Sequence, residues 1–226
     1  MNIKHIFFDL DHTLWDFESN SEKTFELIFK KNSVDVNFED FILKYKPINH
    51  KYWKLFREDK VSKADLRYNR LIEAFEGLNY KISDTLIHTL AKEYIDFLPN
   101  HNALFVGAMD LLSYLKPKYK MHIITNGFEE VQHKKMINSN LLQFFDKIIT
   151  SEEVGVKKPN PKIFHFALEK SNAKVEESIM IGDNFEADIL GAKNIGMHTI
   201  FCEFNGELAT EKVISVSKLE QIKNYL

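Results

Sequence analysis

Apolar residues recur along this chain in two rhythms. Short runs with the β-branched and aromatic bias of strands lie at 3–10, 121–125, 147–150, 178–182 and 198–202, and stretches of helical spacing separate the last four. A strand-helix-strand alternation of this kind predicts an α/β fold built on a doubly wound parallel sheet, whose strand C-termini converge on one crevice. From 16 to 98 the rhythm changes to helix after helix. Ser19-Asn20-Ser21-Glu22 reads as a capping box, followed by Phe25, Ile28 and Phe29 at helical spacing. Ser62-Lys63-Ala64-Asp65 opens another helix with Leu66, Leu71, Ala74 and Phe75 as its buried stripe and Gly77 as its stop. Two more are expected over 38–57, despite Pro47, and over 84–97. The predicted organisation is a core domain of residues 1–15 and 99–226, interrupted by a four-helix domain at 16–98. There is no internal repeat and no low-complexity segment, which excludes a solenoid.

Composition narrows the function classes. A chain of 226 residues with 44% hydrophobic residues, 19 Phe and 8 Tyr can bury two apolar interiors, so disorder is excluded. Lys plus Arg total 30 against 33 Asp plus Glu, with the signs interleaved, which argues against a nucleic-acid polymer or an anionic membrane as partner. Cys202 is the single cysteine, so no internal disulfide forms and a reducing compartment is expected. No run approaches the roughly 18 apolar residues of a membrane span. Residues 1–5 lead into a strand rather than a signal peptide, and a cytoplasmic location is expected.

Candidate chemistry sits at the ends of the predicted strands. The first run ends in Asp9-Leu10-Asp11-His12-Thr13. Strand alternation puts Asp9 and Asp11 on one side if the extended geometry persists that far. Buried carboxylates are costly unless paired, protonated or bound to a cation, and a divalent metal answers that need most simply. The bland reading is a solvated turn. The second run ends in Thr125-Asn126-Gly127 ahead of a helix containing Glu129, Val131 and Gln132, where exposed amides suit a phosphate, although Asn126 is equally intelligible as a helix cap. Gly155-Val156-Lys157-Lys158-Pro159-Asn160-Pro161 is a proline-stiffened loop able to hold an ammonium against phosphoryl oxygens, where a solvated lysine pair is the ordinary alternative. The fourth run ends in Gly182-Asp183, followed by Asp188. Hard cations favour such oxygen ligands, so Asp183 is a ligand candidate, with Asp188 orienting the site from inside the next helix or merely charging its N-terminus.

These motifs, in this order, resemble the haloacid dehalogenase superfamily, in its magnesium-dependent phosphatase branch with a helical cap inserted after the first strand. Asp-Leu-Asp-His-Thr-Leu-Trp-Asp-Phe, Thr-Asn-Gly-Phe-Glu-Glu-Val-Gln and Ser-Glu-Glu-Val-Gly-Val-Lys-Lys-Pro are most similar to the pyrimidine-nucleotide 5′-nucleotidase subgroup. The resemblance implies Asp9 as nucleophile, Asp11 as acid/base, Thr125 and Asn126 on the phosphate, and Lys158 as its counter-charge. It implies Mg²⁺ on Asp9, Asp183 and the carbonyl of Asp11, with Thr13 and Asp188 in support. The expected reaction is hydrolysis of a small phosphorylated metabolite, a nucleoside monophosphate first, by a monomer or weak homo-oligomer. A sugar-phosphate phosphatase, a phosphomutase and a phosphoglycolate phosphatase share these motifs. A 2-haloacid dehalogenase needs neither Asp11 nor Asp183, and a non-enzymatic phosphoacceptor would not need Asp11. The insertion is the expected source of substrate choice. Trp15 and Phe17 could stack on a base or simply pack, Arg67 and Arg70 could face the crevice or lie exposed on their helix, and His12 is expected to be supporting or solvent-facing.

Overall fold

The computed structural model describes residues 2–204, 206 and 208–226. The chain divides into two compact units, Met1–Glu18 with Asn102–Leu226, and Ser19–His101. Both cuts fall slightly later than the expected 15/16 and 98/99. Phe17, only 6% exposed, has ring contacts with His12 and Trp15, which keeps the first helical turn with the α/β unit.

The insertion is helical: α1 (Phe17–Lys31), α2 (Phe38–Arg57), α3 (Lys63–Glu76) and α4 (Asp84–Phe97). Helix α1 starts upstream of the expected Ser19 cap. Phe17, Asn20, Ser21, Thr24, Phe25 and Ile28 are all buried at helical spacing, so tertiary burial extends the helix beyond the local cap signal. At α3 the cap is as read, with Ser62 and Asp65 bonded reciprocally. The core of this unit is aromatic, with Phe25, Phe29, Phe41, Tyr45, Phe75 and Tyr94 meeting edge to face or tilted, apart from the stacked Phe41 and Tyr45. Arg70 corrects the expectation of an exposed helix arginine. It is 1% exposed, its Nη1 donates to Asn49 Oδ1 at 2.9 Å, and its guanidinium lies over the rings of Tyr94 and Tyr45. Arg67 is half-buried.

The other unit holds a six-stranded sheet of β1 (His5–Phe8), β2 (Lys120–Thr125), β3 (Lys147–Thr150), β4 (Ser178–Gly182), β5 (His198–Cys202) and β6 (Ser215–Val216), in the order β3-β2-β1-β4-β5-β6. Every pairing is parallel. Strand β6 was not anticipated because two residues are too short to display a period. Around the sheet run α5 (Ala108–Leu115), α6 (Glu129–Asn138), α7 (Ser151–Val154), α8 (Pro161–Ser171), a π-helical turn (Phe185–Leu190) and α9 (Gly191–Lys193). Phe7, Ile124, Ile149 and Met180 on one face pack with Ile163, Phe164, Ala167 and Leu168 of α8. The chain runs outward through β1, β2 and β3, then returns to the far side of β1 for β4, so the strand order reverses beside β1. Ligands of open α/β sheets bind at such a reversal, beyond the strand C-termini. Among the described residues, no helix is long and apolar enough to cross a membrane.

Candidate active site

The ends of β1, β2 and β4 bring three motifs together, and the loop carrying Lys158 closes the set. Asp9 follows β1 directly, and its N–H donates to Ile181 O at 2.9 Å, so the carboxylate leaves the sheet beside β4. Lys158, 2% exposed, is fully committed. Its Nζ donates to Asp9 Oδ1 at 2.6 Å and to Ile124 O at 2.7 Å, and is ion-paired with Asp188 Oδ1 at 2.6 Å, so oxygens of three residues surround the ammonium. Asn126 sets the backbone that aims this lysine. Its Nδ2 donates to Lys158 O at 3.0 Å and its Oδ1 accepts the Lys158 N–H at 2.9 Å. Asn126 is therefore not the helix cap, a position held by Phe128, and its side chain serves as a clip on the lysine loop.

Asp183 follows β4, and Thr13 Oγ1 donates to its Oδ1 at 3.2 Å. Asp188 stands on the π-helical turn, its Oδ2 accepting the Asn184 N–H at 3.0 Å. Gly182 is obligatory for this arrangement, since a Cβ there would lie 2.2 Å from Asp188 Oδ2. Asp9, Asp183 and Asp188 each present an oxygen within 4.8 Å of the others. Asp188, expected only in a supporting place, thus shares the acidic cluster itself.

One ammonium faces three clustered acids, Asp9 and Asp188 buried and Asp183 half-buried, and the imbalance shows in the proton affinities of Asp9 and Asp183. Burial pushes the Asp9 carboxyl up to about 7 against the pull of Lys158, with Asp188 and Asp11 adding to the rise. Burial, then Asp9 and Asp188, drive Asp183 well above the usual carboxylate range. For Lys158, burial opposes the charge, but Asp188 and Asp9 outweigh it and hold the group up at about 12. A buried, all-oxygen, under-neutralised donor set is what a hard divalent cation fits.

Asp11 goes elsewhere. The extended run stops at Phe8, and His12 adopts a left-handed conformation (φ 63°), turning the chain so that the Leu14 and Trp15 N–H groups both donate to Leu10 O. Asp11 consequently meets α6, where Gln132 Nε2 donates to its Oδ2 at 2.8 Å and Lys135 Nζ lies 2.6 Å from its Oδ1. Gln132 Nε2 also donates to Thr125 Oγ1 at 2.7 Å, and the Gly127 N–H donates to the same oxygen at 3.0 Å. With both lone pairs occupied, the Thr125 hydroxyl has only its proton left to give, as an anion-binding hydroxyl requires. Gly127 is explained by the same contact, because a Cβ would lie 2.3 Å from Gln132 Nε2.

Gln132 and Lys135 are the site residues that sequence reasoning missed. A lysine on a helix is ordinarily solvated, and only the helical spacing of the polar residues 132, 135 and 139, the last at the C-cap of α6, was available to suggest otherwise. Of the two readings of Trp15, stacking on a base or packing, its surroundings fit packing. Trp15 has no exposed surface, its Nε1 donates to Ser139 Oγ at 3.1 Å, and its ring carries the Lys135 ammonium at 4.1 Å. Phe17 is likewise packed. His12 is half-buried against Phe17.

A parallel sheet with this strand order, ending in an acidic cluster bridged by a buried lysine and carrying a helical insertion after β1, is a Rossmann-like α/β fold with its chemistry at the topological switch point. The family model for haloacid dehalogenase-like hydrolases matches residues 3–196, and the chain belongs to that family. It is 34% identical to the pyrimidine 5′-nucleotidase YjjG of Escherichia coli over 96% of each chain. It is 35% identical to a glyceraldehyde 3-phosphate phosphatase of Pyrococcus furiosus, over 89% of this chain and 81% of the relative. The magnesium-bound crystal structure of the HAD-hydrolase YfnB from Bacillus subtilis superposes with a TM-score of 0.90 at 28% identity, covering 100% of this chain and 99% of that one.

Proposed function

We propose that this protein is a Mg²⁺-dependent phosphomonoesterase of the cytoplasm that works through an aspartyl-phosphate on Asp9, with a pyrimidine nucleoside 5′-monophosphate as its substrate. The observation that carries the reading is the separation of the two opening carboxylates. Asp9 lies against Lys158 in the acidic cluster, while Asp11 is held by its own donors on α6. On this reading Asp9 is the attacking carboxylate and Asp11 the one that transfers the proton.

Asp9, Asp183 and the backbone carbonyl of Asp11 would hold Mg²⁺, with Asp188 in the same oxygen cluster. When bound, the ion supplies the positive charge that lets a carboxylate approach a phosphate dianion. The protein does the rest. An Asp9 oxygen attacks phosphorus in line as the ester P–O bond breaks, and Asp11 gives its proton to the departing alkoxide. Asp11, now ionised, takes a proton from water, whose oxygen attacks the phosphoaspartate and releases Asp9 and inorganic phosphate. The Thr125 hydroxyl and the strand-end amides orient the phosphoryl oxygens, and Lys158 favours the ionised form of Asp9 and aims it.

The YjjG relative supports the nucleotide and the Pyrococcus relative supports glyceraldehyde 3-phosphate as a second reading. A comparison of kcat/KM for pyrimidine and purine nucleoside monophosphates, glyceraldehyde 3-phosphate and phosphoglycolate separates them. The expected result is a pyrimidine preference, abolished reversibly by chelation and by Asp9→Asn. A triose-phosphate preference would replace the substrate assignment, and full turnover by Asp9→Asn would end the nucleophile assignment.

A further inference from the structure

We propose that Gln132 and Lys135 of α6 are positioning residues that fix Asp11 for proton transfer and tie it to the phosphate-binding Thr125; this rests on the reading of Asp11 as the acid/base.

Both oxygens of Asp11 are taken by one helix face, Oδ1 by Lys135 at 2.6 Å and Oδ2 by Gln132 at 2.8 Å. The Gln132 amide spends one hydrogen on Asp11 and the other on Thr125 Oγ1, so the acid/base and the phosphate hydroxyl share one rigid bridge. That bridge is built in rather than incidental, because the chain keeps Gly127 where any side chain would collide with Gln132. Lys135 is equally fixed. It is 2% exposed, with its ammonium 4.1 Å from the Trp15 ring centroid and 5.3 Å from that of Phe17. Ser139, one turn on, holds the Trp15 indole N–H at 3.1 Å. Residues 132, 135 and 139 thus grip the segment from Asp11 to Phe17 along a single stripe. An apolar residue would pack this floor without the desolvation cost of a buried ammonium, which points to the carboxylate as the reason for Lys135.

The test compares Lys135→Met and Gln132→Met with wild type on an alkyl phosphate monoester, whose alkoxide needs a proton, and on p-nitrophenyl phosphate, whose phenolate does not. Both variants are also made in an Asp11→Asn background, with thermal melts to verify folding. If the pair acts through Asp11, kcat/KM for the alkyl ester falls about 10²-fold, the size of a general-acid contribution, and the loss on the aryl ester is smaller by about tenfold or more. In the Asp11→Asn background the same substitutions add little further loss. Lys135→Arg, which keeps a cation in reach of the carboxylate, restores most of the alkyl-ester activity. Equal losses on the two esters, or additive losses in the Asp11→Asn background, would overturn the positioning role. An Asp11→Asn enzyme with full alkyl-ester turnover would instead remove the acid/base reading and the proposal with it.

Discussion

His122 makes the stability of the α/β unit sensitive to mild acid. It sits on β2 with 1% of its surface exposed, stacked with the His5 ring and tilted against Phe7, and its Nε2 shares a hydrogen bond with His5 Nδ1 at 3.1 Å. Its Nδ1 is buried with no hydrogen-bond partner among the described residues, so protonation adds charge that nothing there receives. Burial, with His5 second, lowers the imidazole from its ordinary 6.5 to about 4. The folded state therefore favours the neutral ring. The stability this preserves is intact above 6.5 and is lost as pH falls from 6.5 through 4. At about 1.4 kcal/mol per pH unit, the full loss below pH 4 is about 3 kcal/mol, of which about 2 kcal/mol is already gone at pH 5. For a chain of this size that corresponds to about 4–8 °C in Tm. His122→Phe keeps the ring packing and removes the titration. Melting followed by circular dichroism at pH 7.5 and pH 5 should show the wild type losing about 2 kcal/mol more than the variant between the two conditions. At pH 7.5 the variant should be the weaker, by about 1 kcal/mol for the lost hydrogen bond. Equal losses in the two proteins would refute the burial argument, because His5 and the carboxylates remain in both.

Two substitutions probe the acidic cluster. Gly182→Ala puts a methyl 2.2 Å from Asp188 Oδ2, so Asp188 must move away from Lys158 and the other acids. The Mg²⁺ concentration for half-maximal activity should rise about 10- to 100-fold, read by metal titration of the rate, and an unchanged midpoint would show that Asp188 is dispensable. Lys158→Ala strips Asp9 and Asp188 of their shared cation, and kcat should fall about 10²- to 10³-fold in a steady-state assay. A rate near wild type would mean that Lys158 has no part in the chemistry.

Much of the architecture was legible because parallel strands are buried on both faces. Ser178–Gly182 is uninterrupted in apolar or small residues, His198–Cys202 becomes so after its opening His198, and helical spacing separates them, so these two strands and the sheet type follow from local pattern, whereas the first strand ends at Phe8, short of the expected 10. The capping box at Ser62 was equally readable, since its partners lie three residues apart. Helix α1 was not, because its start is decided by what buries Phe17 and Asn20 rather than by the Ser19 cap signal. The environment of Arg70 was hidden for the same reason. Asn49, Tyr45 and Tyr94 come from other helices, and no window of sequence contains them with Arg70.

The amino-acid sequence by itself determined the element order, the four motifs at strand ends and the acids and lysine among them, because these depend on periodicities and neighbours within a few residues. Tertiary structure alone decided which groups meet. It brought Lys158 between Asp9 and Asp188, turned Asn126 into a clip on the lysine loop, and led Asp11 away from Asp9 to a buried lysine and glutamine on α6. The physical reason is that a buried charge takes its partner wherever the fold supplies one. Those partners stand as much as 149 residues apart in the chain, beyond the reach of any local pattern.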